Sequence, residues 1–332
     1  MPSFRSRILA ASTLAAVLTV PVGAPASGET VGCDATIGGV DLGCLADNLF
    51  VFTNGSGDAN WQASSKGYVG DVAVSGAAKF RTSGHFAYSG TISTDGDTIG
   101  KWHDIVADNE GQASSAIADS AVSGLSIQLD NAITQAASLP ATPGFESVDA
   151  ADLAGLNTQN GSPDVVVINV TDKMTVKDQL VITGDETDAF VIRWDEDADA
   201  ANGFQGKVKF QSGGAIIPAG GLTPGNFVHV AGDISSSGGG DTPAGLPQGP
   251  RSAAGDLIEG GEDFDGGGFF TGYWLTTGKP GDGKTSSLSN AIFVGGWYTS
   301  STKFSLTSGS SGVHVAPPVT TTTTTTTIHY TL

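Results

Sequence analysis

Short runs of β-branched and aromatic residues, each bounded by Gly, Asn, Asp or Ser, recur along most of the chain. Runs of this kind predict strands that are joined by tight turns. The clearest examples are Val165–Ile168, Leu180–Ile182 and Phe227–Val230. The 48 glycines disfavour long helices, because glycine in a helix interior costs about 1 kcal/mol relative to alanine. The chain is therefore predicted to be mainly β.

One segment breaks this pattern. Between Gln112 and Leu139 the apolar residues fall at helical spacing, and Pro140 and Pro143 then end the segment. We predict one long amphipathic helix that packs against a face of the β body, and a second, short helix at Val148–Leu156. The apolar positions of the long helix are Ile117, Ala121, Leu125, Leu129, Ala132 or Ile133, and Ala136.

The spacing of the strands indicates how they are arranged. After Val165 successive strands begin roughly ten to twenty residues apart, as in repeat architectures. This favours an irregular β-solenoid, in which each turn buries its inward face only by stacking on the next turn. A β-sandwich is the alternative. The single long helix among many strands favours the solenoid.

The ends of the chain differ from its body. Arg5 and Arg7, an apolar run, and Ala24-Pro25-Ala26 have the pattern of a signal peptide, so residues 1–26 are predicted to be removed on secretion. Residues 27–316 are predicted to form a single solenoid domain with a Gly-rich acidic loop at 235–268. The Pro- and Thr-rich residues 317–332 have low complexity and are predicted to form a tail.

Charge and cysteine content limit the partners. The formal net charge of −19 repels phosphate backbones, which argues against nucleic acid as a partner. The two cysteines, Cys33 and Cys44, lie close together in a chain that is predicted to be exported, so a disulfide is expected. No apolar run is long enough to predict a membrane span.

Four groups of residues are candidate sites. Asp195, Asp197 and Asp199 alternate after a predicted strand and could form a calcium site, although a solvated acidic turn is the simpler explanation. Residues 278–285 fit the phosphate-loop pattern, but a β run follows them where that motif needs a helix. The scattered histidines form no triad motif, so no catalytic residue is predicted. The aromatic residues Trp274, Trp297 and Tyr298 suit either a sugar-stacking platform or a buried core.

From about Asn48 to Ile234 the order of elements resembles two known groups. It begins with Leu49-Phe50-Val51-Phe52 and Gly70–Gly76, continues with the helix and Asp164–Val170, and ends with Ser212–Ala219. This order resembles the "choice-of-anchor A" group of secreted adhesive domains and is similar to the microbial ice-binding domain. The resemblance implies a right-handed, three-sided solenoid with the helix beside it, displayed at a cell surface.

These observations predict a secreted, surface-displayed adhesive or matrix protein without catalytic activity. Its partners would be extracellular matrix, glycan or cell surface. One alternative is an ice-binding protein, whose ice-contacting face would include Thr91, Ser93, Thr276 and Thr299. Another alternative is a polysaccharide-active enzyme built on a β-helix. No cofactor other than calcium is predicted.

Overall fold

We describe the protein from a computed structural model. The residues that this structure describes are 33–53, 58–62, 67–74, 79–83, 86–94, 99–100, 105–107, 122–195, 204–237, 268–278, 285–301, 303–307 and 310–318. They contain one α-helix, α1 (Val122–Ser138), and 25 strands. The strands are β1 (Thr36–Ile37), β2 (Val40–Asp41), β3 (Asn48–Phe52), β4 (Asp58–Gln62), β5 (Gly67–Val69), β6 (Asp71–Val74), β7 (Lys79–Ser83), β8 (Phe86–Ser89), β9 (Ile92–Thr94), β10 (Ile99–Gly100), β11 (Ile105–Ala107), β12 (Val148–Asp149), β13 (Val165–Asp172), β14 (Thr175–Val176), β15 (Gln179–Gly184), β16 (Ala189–Trp194), β17 (Lys207–Gln211), β18 (Gly214–Gly220), β19 (Phe227–Ala231), β20 (Asp233–Ser237), β21 (Gly268–Thr276), β22 (Thr285–Ser289), β23 (Ala291–Thr299), β24 (Lys303–Thr307) and β25 (Ser311–Val313).

The strands stack as an irregular β-solenoid with three faces, which confirms the predicted fold class. Among the described strand pairs, the hairpin β1–β2 is antiparallel and all other named pairs are parallel. A β-sandwich needs antiparallel sheets, so that alternative is wrong. The right-handed sense of the winding stays a prediction.

We name the three faces by what they carry. The helix face lies beside α1 and contains β12, β13, β16, β19, the second halves of β21 and β23, β3, β6 and β9. The uncharged face contains no Asp, Glu, Lys or Arg and consists of β15, β18, the first halves of β21 and β23, β25, β5, β8 and β11. The basic face, whose strands carry five of the 15 Lys and Arg residues, contains β14, β17, β20, β22, β24, β4, β7 and β10.

The turns of the solenoid do not stack in chain order. The first turn, which begins with β3, lies against the last turn, because Trp297 in β23 is in register with Phe50 in β3. From there the chain winds outward through β6 and β9. It then returns through α1, whose 17 residues span about 25 Å, and winds back to the middle from β13 onward.

Alternation along the strands separates the interior of the solenoid from its outer surfaces. In β19, for example, Phe227 and Ala231 belong to the interior core, whereas Val228 and Val230 belong to the cluster under α1. Residues that face the same way repeat at every second position of a strand. The interior therefore forms stacked rows, one of which joins Ile168, Ile192, His229, Trp274, Trp297, Phe50 and Val72.

The helix packs as its sequence predicts. Its apolar stripe, Leu125, Leu129, Ala132, Ile133 and Ala136, is buried against the helix face. The described helix begins at Val122, and residues 112–121 of the predicted segment lie outside the described residues.

The N-terminal hairpin lies in the same layer as α1. Ile37, Val40 and Leu42 belong to the apolar cluster that α1 forms with the helix face. The disulfide Cys33–Cys44 is formed as predicted, with a Cα–Cα distance of 4.4 Å, and ties the segment before the hairpin to the 3-10 helix Gly43–Asp47.

One end of the solenoid is covered by residues 140–158. Thr142 and Phe145 hydrogen-bond to the free edge of β13, and Gly155, Leu156 and Thr158 do the same for β15. Such covering protects an edge from pairing with another chain. The short helix predicted at Val148–Leu156 is wrong in type, because β12 and the 3-10 helix Ala150–Leu153 stand there.

The bounds predicted for the Gly-rich loop, 235–268, include strand residues at both ends. Ser235, Ser236 and Ser237 continue β20, and Gly268 begins β21. Residues 238–267 lie outside the described residues. The tail predicted at 317–332 is described only to Pro318.

Candidate functional surfaces

Two of the four residues predicted for an ice-contacting face are buried. Thr276 and Thr299 are register partners at the ends of β21 and β23, and both are fully buried. Strand alternation places them in the interior, where the Thr276 hydroxyl accepts a hydrogen bond from Trp297 Nε1 at 3.0 Å. They cannot contact an external ligand, so this part of the prediction is wrong.

The other two predicted residues lie near one end of the helix face. Thr91 and Ser93 are half-buried and flank Ile92, which points into the core. The backbone nitrogen of Thr91 donates to Asp71 Oδ1 at 2.7 Å. In the described part of the chain, no extended row of exposed threonines lies on the same face as these two residues.

The predicted calcium site is only partly described. Asp195 is buried, with 4% of its surface exposed, and its backbone nitrogen donates to the Val170 oxygen at 3.1 Å. Asp197 and Asp199 lie outside the described residues, so calcium binding there stays a prediction. Among the described residues one group of three metal-type ligands is close enough for an ion, namely Cys33, Cys44 and Asp47. Its two sulfurs form the disulfide and are not thiolate ligands.

The aromatic residues of β21 and β23 are core residues. Trp274, Trp297 and Tyr298 are fully buried, so they offer no platform for a sugar. Trp274 stacks on the His229 imidazole, with ring centroids 4.1 Å apart and an interplanar angle of 8°. Trp194 Nε1 donates to His229 Nδ1 at 3.3 Å.

Of the two described histidines, His229 is fully buried and His314 is half-buried. Burial lowers the pKa of His229 to about 3, which keeps its imidazole neutral. Burial also lowers the pKa of His314, partly offset by its hydrogen bond to the Ala46 backbone oxygen and by the nearby carboxylates of Asp71 and Asp47. His85 and His103 lie outside the described residues. The absence of catalysis stays a prediction.

The segment that follows β25 packs against the corner between the helix face and the uncharged face. The hydroxyl of Tyr273 donates to the Val315 oxygen at 2.5 Å, and Pro317 and Pro318 lie against Gly225. Val315 also packs on an outer apolar cluster of the uncharged face. This cluster consists of Ala215, Ile217, Phe269, Ile292 and Val294.

The uncharged face is open to solvent beside this cluster. In β15 the side chains of Leu180 and Ile182 point inward, whereas Val181 is 40% exposed and Thr183 is half-buried on the outer side. Thr183 is in register with Ala219 of β18, and Val181 with Ile217. The outer patch that we call the β15 patch therefore consists of Gln179, Val181, Thr183 and Ala219.

Sequence reasoning missed the β15 patch for an identifiable reason. The ice-contacting face was predicted from dense threonine runs, whereas the patch combines Val, Thr, Gln and Ala side chains from two strands that are 36 residues apart in the sequence. The sequence feature that could have indicated this patch is the absence of charged residues from these strands. The strands of the uncharged face contain no Asp, Glu, Lys or Arg, although the chain has 34 acidic and 15 basic residues.

In the part of the chain that the structure describes, no helix is both long and apolar enough to cross a membrane.

Comparisons with known proteins find likeness only among solved structures. No family model and no curated protein matches the chain, so the resemblance to the choice-of-anchor A group stays a prediction. An ice-binding protein from the Antarctic ascomycete Antarctomyces psychrotrophicus aligns with a TM-score of 0.47 and 12% identity, over 85% of this chain and 100% of that chain. One from an Arctic yeast aligns with a TM-score of 0.48 and 15% identity, over 86% and 99%.

A DUF3494 domain of an ice-binding protein from Shewanella frigidimarina aligns with a TM-score of 0.40 and 12% identity, over 84% of this chain and 97% of that chain. Scores and identities at this level are too low to assign a function to this chain. The fold described above rests on its own strand pairing.

Proposed function

We propose that this protein is an extracellular ice-binding protein that contacts ice through the uncharged face. The observation that carries the proposal is the absence of Asp, Glu, Lys and Arg from all eight strands of that face. In a chain with a net charge of −19, a solenoid face whose strands carry no charged residue differs clearly from the composition of the chain as a whole.

The physical argument concerns water. A charged group binds its hydration shell strongly and gives it up only at a high free-energy cost. Apolar groups instead leave neighbouring water molecules bonded mainly to one another, with restricted orientations. A face of Val, Ala and Thr side chains therefore favours an ordered water layer that can match the uncharged lattice of ice.

Regular geometry supports the same proposal. Parallel strands in one sheet lie about 4.8 Å apart, so side chains in register form rows with a fixed repeat. On the uncharged face Thr183 of β15 and Ala219 of β18 are half-buried neighbours in such a row, whereas the row that joins Gln179 to Ala215, Phe269 and Ile292 is buried beyond Gln179. The other two faces suit the task less well, because α1 lies beside the helix face and the basic face carries lysines.

The β15 patch is the described area that we assign to ice contact. Val181 and Thr183 lie two residues apart on one strand, and Ala219 lies opposite Thr183. An extracellular location is consistent with the disulfide Cys33–Cys44, because such bonds persist in oxidising compartments. Surface adhesion and polysaccharide turnover stay predictions from the sequence.

The test compares two threonines on different faces. Thr183→Tyr places a bulky ring on the β15 patch, whereas Thr175→Tyr makes the same change at an exposed position of β14 on the basic face. Thermal hysteresis and the shape of ice crystals are measured for the unaltered protein and both variants at equal concentration. We expect Thr183→Tyr to lose most of the thermal hysteresis and Thr175→Tyr to retain it.

Two outcomes would overturn the proposal. The first is an unaltered protein that leaves ice crystals unshaped at high concentration. The second is equal loss of activity in both variants while their melting temperatures stay unchanged, because ice contact would then not be confined to the uncharged face.

A further inference from the structure

The basic residues of this acidic protein are concentrated on one face. Five of the 15 Lys and Arg residues lie on strands of the basic face, against two of the 34 Asp and Glu residues. These strands therefore carry 5 − 2 = 3 net positive charges, whereas the whole chain carries −19. The five residues are Lys79, Arg81, Lys207, Lys209 and Lys303.

The two acidic residues of this face are each opposite a lysine. Lys207 Nζ and Asp233 Oδ2 form an ion pair at 2.9 Å. Asp58 in β4 is in register with Lys303 in β24 on one side and with Lys79 in β7 on the other. The Asp233 carboxylate is therefore compensated by a lysine of the same face.

The register partners of Lys209 are neutral and able to form hydrogen bonds. Its register partners are Thr175 in β14 and Ser235 in β20, and no ion pair to Lys209 occurs among the described residues. One position further along the same side, Gln211 Nε2 donates to Ser237 Oγ at 3.2 Å. In the sheet of β14, β17 and β20, Lys209 is thus flanked by residues with hydroxyl and amide groups.

The strands fix the spacing of the cations. In the two sheets of the basic face the strand order is β14–β17–β20 and β22–β24–β4–β7–β10, and Ser236 in β20 donates to the backbone oxygen of Ser289 in β22 at 2.7 Å. With about 4.8 Å between strands, lysine-bearing strands recur about every 10 to 15 Å along the solenoid axis. A linear ligand that runs along this axis meets a cation at each interval.

We propose that the basic face binds an acidic polysaccharide whose chain lies along the solenoid axis. Its carboxylates would pair with the lysines, and its sugar hydroxyls would bond to the Ser, Thr, Gln and Asn side chains between them. This binding is separate from ice contact, because it uses another face. A protein predicted to be exported meets such polymers in the extracellular matrix.

Charge complementarity favours this ligand over two others. Nucleic acid presents one charge about every 1.7 Å along a duplex, a much denser row than the cations that recur about every 10 to 15 Å on this face, so most of its phosphates would stay unpaired. A polyuronate has one charge per sugar and hydroxyl groups between the charges. A second copy of this chain would offer acidic residues, and the experiment below distinguishes that case by its effect on molecular mass.

The test uses binding of the full chain to immobilised alginate, a polyuronate, at low ionic strength. Dextran serves as the neutral polysaccharide and duplex DNA as a second polyanion. Lys209→Gln removes one charge from the basic face, and Lys173→Gln removes one charge from an exposed lysine outside it. We expect binding to alginate only, weakened several-fold by Lys209→Gln and less than twofold by Lys173→Gln, and lost at high salt because exposed charges are then screened.

Several results would overturn the proposal. These are no binding to alginate, equal binding to dextran or DNA, or equal effects of the two substitutions in variants whose melting temperatures match. A salt-dependent dimer in light scattering that is broken by Lys209→Gln would assign the face to a second copy instead. None of these results depends on thermal hysteresis, so failure here and failure of ice binding are distinguishable.

Discussion

Arg193 Nη1 donates a hydrogen bond to the backbone oxygen of Leu139 at 2.8 Å and so joins the solenoid to the end of α1. The same atom also donates to the oxygens of Ala136 and Ala137, at 3.2 and 3.0 Å. The last carbonyl groups of a helix have no partner within the helix and carry partial negative charge. The buried guanidinium of Arg193 thus supplies hydrogen-bond donors from β16 to the backbone carbonyl groups at the end of α1.

Replacing Arg193 by Gln should destabilise the protein by about 2 to 4 kcal/mol, because the last turn of α1 loses a charged donor in a buried site. Chemical denaturation of both proteins measures the free energy of unfolding. Lys173→Gln is the matched control, since the ion pair of Lys173 is exposed to solvent and its loss should leave the stability nearly unchanged. Equal stability of Arg193→Gln and the unaltered protein would show that the carbonyl groups find other partners.

His229 should make the protein less stable as the pH falls. Its pKa in the folded protein is lowered to about 3 by burial, whereas an unfolded histidine has a pKa of about 6.5. The unfolded state therefore binds the extra proton, and the contribution of His229 is complete above pH 6.5 and lost progressively down to pH 3. Each pH unit in this window costs about 1.4 kcal/mol per proton.

The variant His229→Phe tests this contribution. Its free energy of unfolding should fall less steeply between pH 6.5 and pH 5, a range above most of the titration of carboxylates. His314, whose pKa is also lowered, should keep part of the slope in this variant. An unchanged slope would mean that His229 does not remain neutral in the folded state.

Gly272 and Gly295 are register partners at the bends of β21 and β23 between the uncharged face and the helix face. Both have positive φ, 86° and 135°, and a Cβ on Gly295 would lie 2.3 Å from the Gly272 oxygen. Gly295→Ala should therefore cost more than about 3 kcal/mol or prevent folding.

The control for that substitution is Gly124→Ala. Gly124 lies in α1, and a Cβ there would meet nothing within 4 Å. Alanine at this position should raise the stability by up to about 1 kcal/mol. Thermal unfolding followed by circular dichroism compares the two variants, and a Gly295→Ala protein as stable as the unaltered one would contradict the bend described here.

The disulfide should contribute modestly to stability. Replacing Cys33 and Cys44 together by serine opens a short loop and should cost about 2 to 3 kcal/mol. The α1 layer should be affected first, because the hairpin that follows Cys33 packs against it. Hydrogen exchange followed by mass spectrometry would locate the loss. Faster exchange spread evenly over the solenoid would contradict this local effect.

The amino-acid sequence by itself determined the strands, the helix and the class of fold. These features are local, because runs such as Val165–Ile168 and the stripe from Leu125 to Ala136 show their buried side through periodicity. The disulfide was equally accessible, since the two cysteines have no other partner.

Only the tertiary structure decided which residues reach the surface and which strands are neighbours. Thr276 and Thr299 look like surface residues in the sequence, yet the register of β21 and β23 turns them inward. Phe50 and Trp297 are neighbours although 247 positions separate them, because the chain leaves the middle of the solenoid and later returns to it. The same stacking gathers uncharged strands on one face and lysines on another, and no local pattern in the sequence records that arrangement.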